Sequence, residues 1–250
     1  MAAVAALAMG CGGGDDEVID APPGGADALP SDGGVDGMPG PCPGQIAYQA
    51  GILDWVTGQG IFEATATEVG NETNTAEAAP NGRASLCLPP ATIIDVHFEA
   101  DGYIARTHRV DTLTAELLAA AEIAEPARLL TPEDANDVYV NVTTEAFDPN
   151  LVHALVDVRV FPGGEPLTGA QVGVADVSPD AAYALAADGT FAAGDQVTTG
   201  GVVFFPNINP GGDEAAITVT TPPGFSGTCA TGTVPLITGE LSYTLIACQN

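Results

Sequence analysis

From Cys42 to the C-terminus, short apolar stretches alternate with clusters of Gly, Pro, Asn and Asp at intervals of roughly ten residues. Examples are FEATATEV (62–69), RASLCLP (83–89), TIIDVHFEA (92–100) and YIARTHRV (103–110). Runs of this length and spacing predict strands of a β-sandwich rather than helices or parallel α/β units. The intervening Pro80-Asn81-Gly82 and Asp101-Gly102 supply the positive φ that tight hairpins need. The second half repeats the order of strand, small-residue turn and strand in 156–174, 200–222 and 241–248.

Between the halves the periodicity changes. LTAELLAAAEIA (113–124) is rich in helix formers and predicts a short helix. TPEDANDVYVNVTTEAF (131–147) carries two conflicting signals. Thr131, Pro132 and Asp134 make a good helix start, whereas Val138, Val140 and Val142 alternate like a strand. We favour a helix over 132–145, because Ala135, Val138 and Val142 then share one face. The expected fold class is mainly β: two Ig-like or transthyretin-like β-sandwiches, 42–111 and 151–250, joined by a short helical connector, 112–150.

Within the second half, GEPLTGAQVGV (164–174) resembles the G-x-P-hydrophobic-x-G-A-x-V element of carboxypeptidase-regulatory-like domains. GGVVFFPNINPGGDEAAITV (200–219) is similar to that family's next element, a glycine turn, an apolar strand, a Pro-Gly turn and a second strand. The first half repeats the elements more weakly in TGQGIFEATATEV (57–69) and PNGRASLCLPPATIIDVHFEADGY (80–103). The resemblance covers residues 45–110 and 151–222 and implies a seven-stranded transthyretin-like sandwich. It implies no activity, because such sandwiches serve as spacers, folding aids and binding modules.

Ahead of the sandwiches, AAVAALAM (2–9) is uniformly small and apolar, as in the core of an export signal. No basic n-region precedes it in this chain, so the true start is expected upstream. Ala8-Met9-Gly10-Cys11 resembles a bacterial lipobox, which makes Cys11 the expected lipidation site and 1–11 a truncated lipoprotein signal peptide. Gly10 and Cys11 match the pattern, while Met9 is larger than usual and Leu7 stands one place early. Residues 12–41 hold nine Gly, five Pro and seven acidic residues. No core can be built from them, so they are expected to form a disordered tether spanning roughly 30 Å.

Charge narrows the partners. Against 33 Asp and Glu stand five Arg and no Lys, a formal charge of −28. Such a surface repels phosphate backbones and anionic headgroups, which argues against nucleic-acid binding. Contact with a membrane is expected through the lipid alone.

Setting Cys11 apart leaves Cys42, Cys87, Cys229 and Cys248, an even four that suggests two disulfides in an exported chain. Three connectivities exist, and position favours Cys42 with Cys87 and Cys229 with Cys248. The Cys positions include no C-x-x-C and no nearby His, which argues against metal ligation.

Candidate chemistry is sparse. A two-residue turn at Asp101-Gly102 would pair Asp95 with His108 and His97 with Arg106, read as surface cross-strand pairs. None of the five serines lies in G-x-S-x-G, and no His-x-His supports an iron site. Asp134, Asn136 and Glu145 mimic an EF-hand, but Val138 and Tyr139 occupy the places of a ligand and the turn glycine. No catalytic residue and no cofactor or resident metal is expected; calcium held diffusely by acidic loops has no locatable site. An aromatic platform for glycans would draw on Trp55 and Tyr48, with Phe62 nearby.

The expected function is a non-catalytic, lipid-anchored cell-envelope protein, at the outer membrane or cell surface, acting as a structural or interaction module. Its expected partner is an envelope protein or polysaccharide. The second expectation is a surface carbohydrate-binding protein, and a hydrolase built on His108 and Asp95 ranks behind both.

Overall fold

A computed structural model describes residues 42–90, 92–111, 116, 125–209 and 211–250. Cys11, the tether and all but Glu116 of the helix expected over 113–124 lie outside the described residues. Contacts divide the chain into Met1–Gly33 and Gly34–Asn250, and every described residue belongs to the second unit.

The chain is mainly β. In the first half run β1 (Ile46–Asp54), β2 (Thr65–Glu68), β3 (Thr75–Glu77), β4 (Arg83–Leu88), β5 (Ile93–Glu99), β6 (Arg106–Asp111) and β7 (Glu125–Leu129). Helix α1 (Pro132–Thr143) comes next. The second half adds β8 (Val152–Phe161), β9 (Glu165–Pro166), β10 (Gln171–Val174), β11 (Tyr183–Leu185), β12 (Phe191–Ala193) and β13 (Val202–Ile208). It closes with β14 (Glu214–Thr220), β15 (Thr228–Cys229), β16 (Gly232–Pro235) and β17 (Leu241–Gln249).

One long sheet, in the order β12-β11-β13-β8-β17-β6-β5-β2-β3, runs through both halves. Two three-stranded sheets, β4-β1-β7 and β10-β14-β16, pack against it. Alternation along the strands decides which face each one covers. Ile94, Val96, Phe98 and Val110 point toward β4-β1-β7 and form the first core with Tyr48, Ile52, Leu86 and Leu129. Register carries that face across the sheet, since Val96 lies opposite His108, His108 opposite Tyr243, and Tyr243 opposite Leu155. The residues between, among them Ala154, Val156 and Ile246, face the other way and build the second core with β10-β14-β16. The two sandwiches therefore share a sheet and sit on its opposite faces, offset along it.

Helix α1 covers the first face beside β13 and β8. Its start is as the sequence predicts: Thr131 caps it by accepting from the Asp134 amide at 3.1 Å, and Pro132 opens the first turn. The strand-like alternation of its valines loses because a Thr-Pro-Glu-Asp start and a buried Ala135 and Tyr139 favour the helix. Val138 and Val142 pack against the same cluster as Leu155, Phe204 and Tyr243.

The hairpin expectation is corrected. Asp95 lies opposite Arg109, and His97 opposite Thr107, one residue away from the two-residue-turn register. The connection is longer because the Tyr103 amide bonds back to the Ala100 carbonyl and Ile104 is captured in a bridge to Leu130. A one-residue slip reverses every side chain. His108 consequently turns into the protein, fully buried between Phe98 and Tyr243, while Asp95 stays on the opposite face. There the Arg109 guanidinium donates to both Asp95 oxygens at 2.8 Å and to Thr233 at 2.6 Å, and also reaches Glu214. The bidentate pair ties β6 to β5, and the contacts to Thr233 and Glu214 clamp both to the second half's outer sheet.

Gly60 and Gly82 have a steric reason. A Cβ on Gly60 would lie 2.5 Å from the Asn81 carbonyl carbon, and one on Gly82 the same distance from the Ile52 oxygen. Backbones meet there with no room for a side chain.

Both disulfides form as position suggests. Cys42 joins Cys87, tying the entry of the folded unit onto β4 with Cα atoms 5.5 Å apart. Cys229 joins Cys248, its direct cross-strand neighbour between β15 and β17. Replacing Cys42 and Cys87 together with Ala opens the longer loop, with a sequence separation of 45, and is expected to lower unfolding free energy by about 3 to 4 kcal/mol in urea titrations. An unchanged midpoint would show that the bond constrains little.

His153 supplies a second prediction. Its Nε2–H donates to the Asp148 carbonyl at 3.0 Å, Nδ1 accepts from the Asn207 amide at 3.2 Å, and Phe147 stacks on the ring. Both nitrogens are occupied in the neutral form, and burial lowers the pKa to about 4. A lowered pKa means that the neutral ring's stabilisation is complete above the unfolded value of roughly 6.5 and is lost as pH falls toward 4. Ring-proton NMR should show one imidazole titrating near pH 4, and His153→Gln should flatten the loss of stability over that window. A titration midpoint near the unfolded value would contradict this.

Candidate functional site

Strand β8 is buried on both faces, but its sequence VDVRV (156–160) is not uniformly apolar. Val156 and Val158 enter the second core, so Asp157 and Arg159 must point to the other face, in line with Leu155. On that face the first outer sheet ends at β7, and α1 begins beyond it. The gap between them is a cleft of about 680 Å³.

Its walls come from distant parts of the chain. Trp55 stands just after β1 and is held by its amide donating to the Leu129 carbonyl at 2.9 Å. Arg106 comes from β6, Arg128 from β7, Asp157 and Arg159 from β8, and Tyr243 from β17. Three of the chain's five arginines thus line one cleft, in a protein whose formal charge is −28.

The charges are held by fixed partners. Arg106 is buried, its guanidinium 4.7 Å from the Tyr243 ring centre and 6.0 Å from that of Trp55, and Nη1 donates to the Arg128 carbonyl at 3.0 Å. Arg159 donates through Nε to Asp157 at 2.9 Å and through Nη1 to the Gly164 carbonyl at 3.0 Å. The Tyr243 hydroxyl donates to the same Asp157 oxygen at 3.1 Å. Burial opposes the Arg159 charge, but Asp157 together with Tyr243 and Glu165 outweighs it and the guanidinium pKa is raised. The Arg128 side chain is exposed and has no hydrogen-bond or ion-pair partner among the described residues.

Gly201 keeps this wall open. Its φ is +84°, and a Cβ there would lie 2.9 Å from Asp157 Oδ1 and 3.3 Å from Arg159 Nη2. Behind the cleft an aromatic chain runs from Trp55 to Phe191, ring centres 6.5 Å apart, then to Phe204 and Tyr139. It stiffens the wall that Trp55 presents.

The residues singled out by sequence separate here. Trp55 is half-buried at the cleft, but Tyr48 is enclosed in the first core, only 2% exposed, with its hydroxyl near His108, and offers no face to a ligand. Phe62 is exposed elsewhere, beside Glu63 and Glu99. Asp95 and His108 lie on opposite sheet faces, so the pair on which a hydrolase would rest is not assembled. Asp134 and Asn136 are on α1 rather than in a calcium loop. Among the described residues, no group of three His, Cys, Asp or Glu is placed to hold a metal ion. Arg106, expected at the surface opposite His97, instead lies opposite Phe98 and is buried at the cleft, and Arg128, Arg159, Asp157 and Tyr243 were not singled out by sequence. The available signal was the scarcity of arginine itself, and an Asp-x-Arg alternation inside an otherwise apolar strand.

No protein-family model and no curated protein matches the chain. Among solved structures it is similar to the Bacillus anthracis TIE protein, at 12% identity and TM-score 0.25, over 83% of this chain and 34% of that one. It is also similar to GBS52, the minor pilin of Streptococcus agalactiae, at 10% identity and TM-score 0.28, over 81% and 96% of the two chains. The shaft pilin SpaA of Lactobacillus rhamnosus GG gives 8% identity and TM-score 0.25, over 82% and 97%. The chain spans about a third of the length of the first of these.

The site's electrostatics can be tested at Asp157, which is 2% exposed. Asp157→Asn keeps the shape and removes the charge that holds Arg159 and Tyr243. Loss of about 2 to 3 kcal/mol in denaturant unfolding is expected, below the roughly 3 to 5 of a fully buried pair because Arg159 keeps some access to water. A change under about 0.5 kcal/mol, the range of ordinary surface substitutions, would show that the carboxylate does not organise the cleft.

Proposed function

We propose that this chain is a non-catalytic interaction module of the cell envelope, attached to a membrane by a lipid on Cys11, with the arginine and aromatic cleft as its binding surface. The observation that carries the binding role is the gathering of Arg106, Arg128 and Arg159 beside Trp55 in a strongly acidic chain. Charge of the scarce sign has been concentrated at one concave place, where it can act on a ligand. Fixed hydrogen bonds hold Arg159, Asp157 and Tyr243, an arrangement suited to recognition. No histidine is among the residues lining the cleft.

A cleft of about 680 Å³ falls within the roughly 300 to 1,000 Å³ typical of small-ligand sites. It favours a unit of an envelope polysaccharide over a broad protein face, which would need on the order of 800 Å² per partner.

The anchor rests on Ala8-Met9-Gly10-Cys11 and on the Gly, Pro and acid composition of 12–41, a spacer that would hold the folded body off a surface. Membership of 45–110 and 151–222 in the carboxypeptidase-regulatory-like family belongs to the same proposal and rests on GEPLTGAQVGV and the repeats around it. No helix among the described residues is long and apolar enough to cross a membrane. Metabolic labelling with a fatty-acid analogue is expected to mark the protein in cells, and Cys11→Ser is expected to abolish the label and release the protein from membrane fractions. Label that survives Cys11→Ser would overturn the anchor.

A further inference from the structure

We infer that the cleft beside Trp55 recognises a sugar acid, a saccharide unit bearing a carboxylate, through Arg128 and Arg159. This deepens the reading of the cleft as the binding surface and rests on it.

Arg128 offers a guanidinium without side-chain partners among the described residues, at the exposed edge of β7. Arg159 commits Nε and Nη1 to Asp157 and Gly164, while its Nη2 makes no hydrogen bond among the described residues and lies against Gly201. A guanidinium has five N–H donors in a planar fork that matches a carboxylate, so both arginines retain capacity for an anion. Asp157 and Glu165 are the carboxylates acting on Arg159, so the cleft remains net cationic with Arg106 and Arg128 counted.

The rest of the lining selects what carries the carboxylate. Leu155, Val202 and the edges of Trp55 and Tyr243 are apolar, and a bare phosphate would leave them wet. The exposed Thr199 can exchange hydrogen bonds with ring hydroxyls, which an aromatic acid does not supply in number. A saccharide ring has an apolar C–H face and polar edges, and so meets both walls. The global charge of −28 sets an upper limit on the ligand. A long polyanion would be repelled by the surrounding surface, whereas one or two units fit within a screening length of about 8 Å. The fitting occupant is an end or short segment of an acidic glycan.

Trp55 is the sole tryptophan of the chain, so its fluorescence reports directly on the cleft. The purified full chain is titrated with digalacturonate, with the neutral galactobiose, with inorganic phosphate and with 4-hydroxybenzoate. A saturable Trp55 signal is expected with digalacturonate, at least about tenfold tighter than with galactobiose, because a charge-assisted hydrogen bond is lost. Arg128→Gln, at an exposed position whose side chain has no partner among the described residues, is expected to leave the unfolding midpoint unchanged and weaken binding by at least about tenfold. Equal binding of galactobiose, or an affinity unmoved by Arg128→Gln, would overturn the role of charge. Phosphate or 4-hydroxybenzoate binding as tightly as digalacturonate would overturn the sugar acid while leaving the cleft a binding surface. No response to any of the four would remove the binding-surface reading itself, and the anchor at Cys11 would stand or fall separately.

Discussion

The pairing of β17 with β6 on one side and β8 on the other holds the described body together. Leu241 to Thr244 run parallel to Arg106 to Arg109, and Leu241 to Gln249 run parallel to His153 to Phe161. The last strand of the chain thereby closes a seam between β6 of the first half and β8 of the second. Packing on both faces depends on it, because β17 contributes Ile246 and Cys248 to the second core and Leu241, Tyr243, Leu245 and Ala247 to the cluster beneath α1. Such long-range parallel pairing is entropically costly to close. Arg109 and the Cys229–Cys248 bond lock it from outside.

The cleft is a by-product of this seam. Two sandwiches on opposite faces of one sheet cannot both cover its whole length. On the face of the first sandwich, the outer sheet stops at β7 and leaves Leu155, Asp157, Arg159 and Tyr243 to be covered by other means. Helix α1 and the segment around Phe191 cover part of that surface, and the remainder is the cleft. A polar pair could survive on a strand buried from both sides because Asp157 and Arg159 satisfy each other and recruit Tyr243 and the Gly164 carbonyl.

Charge distribution obeys the same logic. With so few cations, each arginine placed in the interior must answer for its desolvation. Arg106 lies against two aromatic rings and a main-chain carbonyl, Arg109 forks onto Asp95, and Arg159 divides its donors between one Asp157 oxygen and the Gly164 carbonyl. Among the cleft arginines Arg128 is the most exposed and Arg159 keeps part of its surface in water, and it is there that a ligand can compete on favourable terms.

Much of the fold was legible in local chemistry. Alternation and turn residues marked the strands, Thr131 and Pro132 marked the start of α1, and cysteine position marked both disulfides, since each of these depends on neighbours close in sequence or on simple cross-strand geometry. The hairpin register was not legible, because Ile104 is captured by Leu130, a residue the turn chemistry knows nothing of. That single register step buried His108 and dissolved its pairing with Asp95. Trp55 could be named in advance as an aromatic of interest, but Tyr48 could not be separated from it by alternation alone. Only tertiary structure decided that three scarce arginines from β6, β7 and β8 meet beside Trp55. The meeting arises from strand order in the shared sheet, and strand order is set by contacts between segments whose separation no local pattern records.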